Sequence, residues 1–147
     1  MENLAKNLRN QEYEQRISQE KEILTNHGIR VSHQRLLVLD YLIMHPDHPT
    51  ADSIYKDLKV LDPVISQATV YNTLNLFVEK KIIKELDFNM TSKRYEFKKP
   101  NHGHFICESC GKIEDIDVDN LEYPESLEGY EIDSVEVIFR GICPECR

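Results

Sequence analysis

SQATVYNTLNLFVEKKIIKELDFNMTSKRYEF, residues 66–97, carries a helix and then a hairpin. Ser66 has the side chain of an N-cap. Val70, Tyr71, Leu74, Phe77 and Val78 follow at helical spacing as a buried side, leaving Thr69, Asn72 and Thr73 on the other. Two strand-like runs, 82–88 and 93–97, flank a polar break at 89–92, the pattern of a β-hairpin. A helix feeding directly into a hairpin is the closing half of a winged helix-turn-helix, whose last helix enters the DNA major groove.

The residues upstream supply the rest of that module. Ser32 sits where an N-cap belongs, ahead of a dense apolar run from Leu36 to Ile43 that ends near His45-Pro46. Thr50 is the next cap, with Asp52 placed favourably in the first turn and Ile54, Tyr55 and Leu58 forming one apolar face up to the turn at Asp62-Pro63. Residues 2–24 read as an amino-terminal helix, frayed at its start and stopped by Gly28.

Downstream, Lys98-Lys99-Pro100-Asn101 interrupts the pattern as a linker. Strands are predicted at 104–107, 112–116 and 130–139, with a poor helix at 122–128 broken by Pro124. The expected fold class is therefore α+β. A winged helix-turn-helix DNA-binding domain with a helical extension occupies 1–97, a linker 98–101, and a small α/β dimerisation and metal-binding domain 102–147.

The formal charge of −8 is unusual for a nucleic-acid binder, since phosphate affinity comes largely from Lys and Arg. Residues 1–86 carry 11 Lys+Arg against 12 Asp+Glu, and residues 87–147 carry 7 against 14, so the acidity lies mainly in the second half. That balance suits a near-neutral DNA-facing half joined to an acidic half that dimerises or binds cations. No apolar run approaches the roughly 20 residues a membrane span needs, and residues 1–10 lack the layout of a secretory signal, so a cytoplasmic protein without membrane partners is expected.

Cys107-Glu108-Ser109-Cys110 and Cys143-Pro144-Glu145-Cys146 are two C-x-x-C units separated by 32 residues. Four thiolates complete the closed tetrahedral shell of structural zinc, which would tie the start of the small sheet to the carboxy terminus. The alternatives are four unlinked cytosolic thiols, or a redox C-x-x-C, for which one pair would suffice and around which no βαβ pattern is present.

His102-Gly103-His104 precedes the first knuckle, with Glu96 behind it, Asp115 ahead and His48 upstream. Imidazole and carboxylate together suit Fe(II), Mn(II) or Zn(II). On a strand, His102 and His104 share a face, although a plain surface histidine pair gives the same pattern. His27, His33 and His45 read as ordinary surface or capping residues. Thr69, Asn72 and Thr73 on the 66–78 helix have the chemistry to read base edges, against the alternative of a solvated polar face. Arg35, Lys80, Lys81 and Lys93 are candidate phosphate contacts.

Taken together, Ser32-His33-Gln34-Arg35, His48-Pro49-Thr50-Ala51-Asp52, Ala68-Thr69-Val70-Tyr71, His102-Gly103-His104-Phe105-Ile106-Cys107 with Cys110-Gly111-Lys112, and the closing C-x-x-C resemble the ferric-uptake-regulator (Fur) family. The resemblance runs from about Lys21 to Arg147. It implies a homodimeric repressor that binds a palindromic double-stranded operator when a regulatory metal bridges the two halves. It further implies structural Zn(II) on the four cysteines, a regulatory Fe(II) or Mn(II) site on His48, Glu96, His102, His104 and Asp115, and base contacts from Tyr71 and Asn72.

Asn72 and Asp115 resemble the peroxide-sensing (PerR) branch, whereas Glu96 resembles the iron regulators, which have Glu where that branch has Asp. A peroxide-stress sensor using Fe(II) or Mn(II) is the expectation, with Zn(II) able to occupy the site in purified protein. An iron-responsive or zinc-responsive repressor is the alternative. From other classes, a hydrolase would need an open coordination position and a substrate pocket, and no small organic substrate is implied. A zinc-stabilised interaction module would not need polar Thr69 and Asn72 on a capped helix.

Overall fold

The computed structural model describes residues 8–87, 92–98, 102–118, 122–132 and 135–147, without the side chain of His102. It divides into two compact units, Met1–Lys99 and Pro100–Arg147. The predicted turn at 89–91 and the linker positions 99–101 lie outside the described residues. No helix among the described residues is long and apolar enough to cross a membrane.

Among the described residues the first unit contains the helices α1 (Tyr13–Asn26), α2 (His33–Met44), α3 (Ala51–Leu61) and α4 (Gln67–Glu79), then the antiparallel hairpin β1 (Ile83–Leu86) and β2 (Arg94–Phe97). Its starts follow from its caps. The Ser32, Thr50 and Ser66 hydroxyls accept the backbone N–H groups of Arg35, Ser53 and Thr69, and Thr50 with Ser53 closes a reciprocal capping box. At the end of α1, Gly28 takes φ +71°, its N–H donates to the Thr25 carbonyl (3.0 Å), and that of Ile29 donates to Leu24 (2.9 Å), while Leu24 and Ile29 are both buried. This double closure needs a residue without Cβ strain at Gly28.

Two expectations are corrected here. The amino-terminal residues do not form one helix: Leu8 and Arg9 are helical, a turn follows at Asn10, and α1 begins only at Tyr13, because Glu12 is extended and caps nothing with its side chain. On α4, Thr73 is buried and Tyr71 exposed, the reverse of the expected sides. With about 100° between residues, a face centred on Val70, Leu74 and Phe77 takes in position 73 and turns position 71 outward.

The hydrophobic core of this unit joins α2, α3, α4 and the hairpin through Leu39, Leu42, Ile54, Leu74, Phe77 and Tyr95. Against it, α1 is held on α2 by a buried charge cluster. Arg16 Nε donates to Asp40 Oδ1 at 2.6 Å and lies 4.0 Å from Glu20 Oε1, and Glu20 is fully buried. Neither Glu20 oxygen receives a donor, which a protonated carboxyl resolves by donating to Asp40. Burial, then the hydrogen bond to Asp40, push Glu20 up from 4.5 to about 9.

The folded state therefore holds an extra proton between those two values. The stability that this one group contributes is fully present below about pH 4.5, declines as pH rises, and is lost above about 9. Glu20→Gln keeps a neutral donor to Asp40, and is expected to raise stability at pH 7 by about 1–3 kcal/mol, with the gain vanishing toward pH 5. Urea unfolding of both proteins at the two pH values checks this. An equal loss at both would show that Glu20 is charged in the fold.

The second unit is a three-stranded sheet of order β4-β3-β5, with β3 (His102–Cys107) antiparallel to β4 (Ile113–Asp117) and parallel to β5 (Ile138–Gly141). The strand predicted at 130–139 is corrected to the four residues of β5, because β3 offers partners only from His104 to Cys107. Tyr130 to Ile132 and Val135 to Val137 remain irregular. The poor helix at 122–128 is a single 3-10 turn, Glu125–Leu127, started by Pro124.

Candidate metal centres and recognition helix

In the first unit, His48 ends the loop between α2 and α3 with φ +59°, a left-handed conformation that costs a non-glycine residue about 1–2 kcal/mol. The loop is tied to β2 from three sides. Arg94 Nη1 donates to the His48 carbonyl (3.1 Å), the Tyr95 N–H donates to the Pro49 carbonyl (3.0 Å), and Thr50 bridges Arg94. The same strand presents Glu96, so His48 Nε2 lies 3.0 Å from Glu96 Oε2, with both residues buried. Arg94 is a positioning residue that the sequence did not reveal, since nothing local links residues 46 positions apart.

The second unit builds a similar pair by strand register. His104 on β3 lies directly opposite Asp115 on β4, with 3.6 Å between Nε2 and Oδ1. His104 is buried, and about a third of the Asp115 side chain is exposed (31%). His102 lies two positions earlier, opposite Asp117, but its side chain lies outside the described residues. Glycine separates the two histidines because a Cβ at Gly103 would come within 2.9 Å of the Val137 carbonyl oxygen, the group that accepts the His104 N–H at 3.0 Å.

The cysteines form the other centre. Cys107 ends β3 and Cys143 follows β5, and each begins a tight turn in which Gly111 and Cys146 donate N–H to the Cys107 and Cys143 carbonyls. The four sulfurs lie within 4.8 Å of one another, and Cys110 Sγ is 3.8 Å from Cys143 Sγ. A tetrahedron with Zn–S of about 2.3 Å has sulfurs about 3.8 Å apart, so the donor set fits zinc. The backbone N–H groups of Cys110 and Cys143 donate to Cys107 Sγ and pull that thiol down to about 6. Cys146, hydrogen-bonded to Cys143, is pushed up to about 12. These hydrogen bonds favour the thiolate at Cys107 and the thiol at Cys146.

The exposed side of α4 carries Gln67, Ala68, Tyr71, Asn72 and Asn75, all uncharged. Thr69 is only half exposed, and its hydroxyl is shared with that of Ser66 at 2.8 Å. The Tyr71 hydroxyl donates to Asp52 Oδ1 at 2.9 Å. Arg35 directs one guanidinium N–H to the Arg30 carbonyl at 2.6 Å, and Lys93 pairs with Glu85 at 2.8 Å on the hairpin. His27 and His45 each bond the carbonyl four residues back, as capping residues do.

The model of the ferric uptake regulator family matches residues 26–140. The chain belongs to that family. This family member is 40% identical over 129 residues to the peroxide operon regulator of Bacillus subtilis (strain 168), covering 85% of this chain and 89% of the relative. Among solved structures it resembles the peroxide-sensing PerR of Streptococcus pyogenes, with 36% identity, a TM-score of 0.51, and 89% and 92% of the two chains covered. It also resembles the Vibrio cholerae ferric uptake regulator, with 27% identity, a TM-score of 0.71, and 84% and 99% covered. Cys143 and Cys146 stand just beyond the residues that the family model matches, so the second half of the thiol cluster rests on its own geometry.

Proposed function

We propose that this chain is a metal-dependent, DNA-binding transcriptional repressor of the peroxide-responsive type, a cytoplasmic regulator rather than an enzyme. One observation carries the reading: each unit offers a buried imidazole beside a carboxylate, His48 with Glu96 and His104 with Asp115. Two donors fill only part of a first-row metal's coordination shell, so neither pair alone makes a tight site. A single Fe(II) or Mn(II) takes His48 and Glu96 from one unit and His102, His104 and Asp115 from the other. Zn(II), which binds such ligands more tightly than Fe(II) or Mn(II), takes this place in protein purified without metal control. The four cysteines hold a separate structural Zn(II).

In this reading α4 enters the major groove, with Tyr71, Asn72 and Thr69 toward base edges and Arg35 on phosphate. The active form is a homodimer on a palindromic operator. Tyr130, Phe139 and Ile142 of the second unit are all about half exposed or more, an apolar surface that a second copy of the chain covers.

Fe(II), when bound, would supply redox chemistry toward peroxide that Mn(II) would not: one peroxide oxygen would be added to a ligand imidazole and the other would leave as water. The chain's part is to hold the His48 and His102 imidazoles where the oxidising equivalent is released. Mass spectrometry tests this: after peroxide treatment, iron-loaded protein gains one oxygen on His48 or His102, and manganese-loaded protein gains none. No oxygen on either histidine in the iron form leaves the second reading, an iron-responsive repressor, which Glu96 favours by its resemblance to iron regulators.

A further inference from the structure

We infer that Asp52 is a specificity-determining positioning residue, fixing Tyr71 on the recognition helix so that its phenol oxygen meets DNA only as a hydrogen-bond acceptor. The inference rests on the proposed placement of α4 in the major groove. Asp52 Oδ1 accepts two hydrogen bonds from α4, one from the Tyr71 hydroxyl at 2.9 Å and one from Gln67 Nε2 at 3.3 Å. Gln67 and Tyr71 are one turn apart, so a single carboxylate oxygen grips one face of the helix at two points.

The carboxylate is itself firmly placed. It stands in the first turn of α3, where the helix dipole favours negative charge, behind the Thr50–Ser53 capping box. The hydrogen bond to Asp52, and then partial desolvation, raise the phenol's pKa, so its proton stays on oxygen and points at Asp52.

A phenol has one proton to give. With that proton committed, the outward lone pair of Tyr71 pairs with a major-groove donor, the N6 amino group of adenine or the N4 amino group of cytosine. It is mismatched to guanine O6 and N7 and to thymine O4, which only accept. The Asp52 charge also repels phosphate, which keeps the ring over base edges. Asn72 and Asn75, also exposed on α4, offer both donors and acceptors, so they impose no such choice.

The test uses full-length, metal-loaded protein and a duplex that the wild-type chain selects from a random pool. Failure to select any sequence would count against the DNA-binding reading itself. Given a selected duplex, Asp52→Ala is expected to lower the ratio of selected to scrambled affinity about tenfold, while affinity for the scrambled duplex stays level or rises. Asp52→Asn keeps a carbonyl acceptor and restores most of the ratio, and Asp52→Ala adds little further loss to Tyr71→Phe. A merely structural role for Asp52 would lower the unfolding temperature and weaken both duplexes alike. Unchanged discrimination in Asp52→Ala, or a full further loss in the Tyr71→Phe background, overturns the inference.

Discussion

Cys143→Ser, or removal of the structural zinc, is expected to unfold residues 100–147 while leaving the helices of the first unit in place. The contrast follows from where the apolar core lies. Every residue of the hydrophobic cluster, from Leu8 to Phe97, belongs to the first unit. In the second, the buried apolar residues among those described are Ile106, Cys107 and Cys143, and two of those three are zinc ligands in the proposed site. A sheet of three short strands without a core cannot offset the ordering entropy of its chain. Structural zinc contributes about 10–16 kcal/mol in small peptide sites, more than the whole stability of many domains. Cys143 is the most telling position, since it is buried and its N–H donates to Cys107 Sγ. Limited proteolysis should then release a protected fragment ending near Lys99, with the loss of sheet signal in circular dichroism. Unaltered proteolysis and dichroism after verified zinc loss would show that the sheet stands unaided.

The second large effect is on DNA. Occupation of the regulatory site is expected to tighten operator binding about a hundredfold, equivalent to about 2.7 kcal/mol of coupling. A metal can shift the population only by its differential affinity for the DNA-competent arrangement, and the proposed site, with ligands drawn from both units, would supply that difference. Each half is preorganised within its own unit. His48 is held left-handed by Arg94 and the β2 backbone, and His104 by strand register opposite Asp115. The energy of bringing the halves together therefore comes from the ion rather than from local ordering. Replacing either imidazole should remove the response: His48→Ala and His104→Ala each weaken Mn(II) binding, measured by electron paramagnetic resonance titration, and each leaves operator affinity at its metal-free level. A His48→Ala protein that retained wild-type Mn(II) affinity would place the ion wholly in the second unit.

The sequence was most readable where physics is local. Ser32, Thr50 and Ser66 announce their helices because a cap needs only the next three residues, and the two C-x-x-C units announce their cluster because each knuckle closes on itself. It was least readable where partners are distant. The Arg16–Asp40 contact joins two helices, and Arg94 reaches the His48 carbonyl across the first unit; neither has a periodic or spacing signature. Tyr71 and Thr73 exchanged sides because a helical face drawn from apolar residues alone favours tyrosine over threonine, whereas the 3.6-residue turn fixes the face by position. The Val- and Ile-rich tract 130–139 has strand composition, yet only its end finds a partner, because composition does not supply an edge to pair with.

Regulation as proposed requires one ion held by ligands from both units. Operator affinity, measured by fluorescence anisotropy on protein that retains its zinc but has been stripped of the regulatory metal and then titrated with Mn(II), tests it most directly. The expected result is an about hundredfold tightening that saturates with one Mn(II) per chain and is absent in His48→Ala. The same affinity before and after Mn(II), with the zinc still in place, would contradict the account.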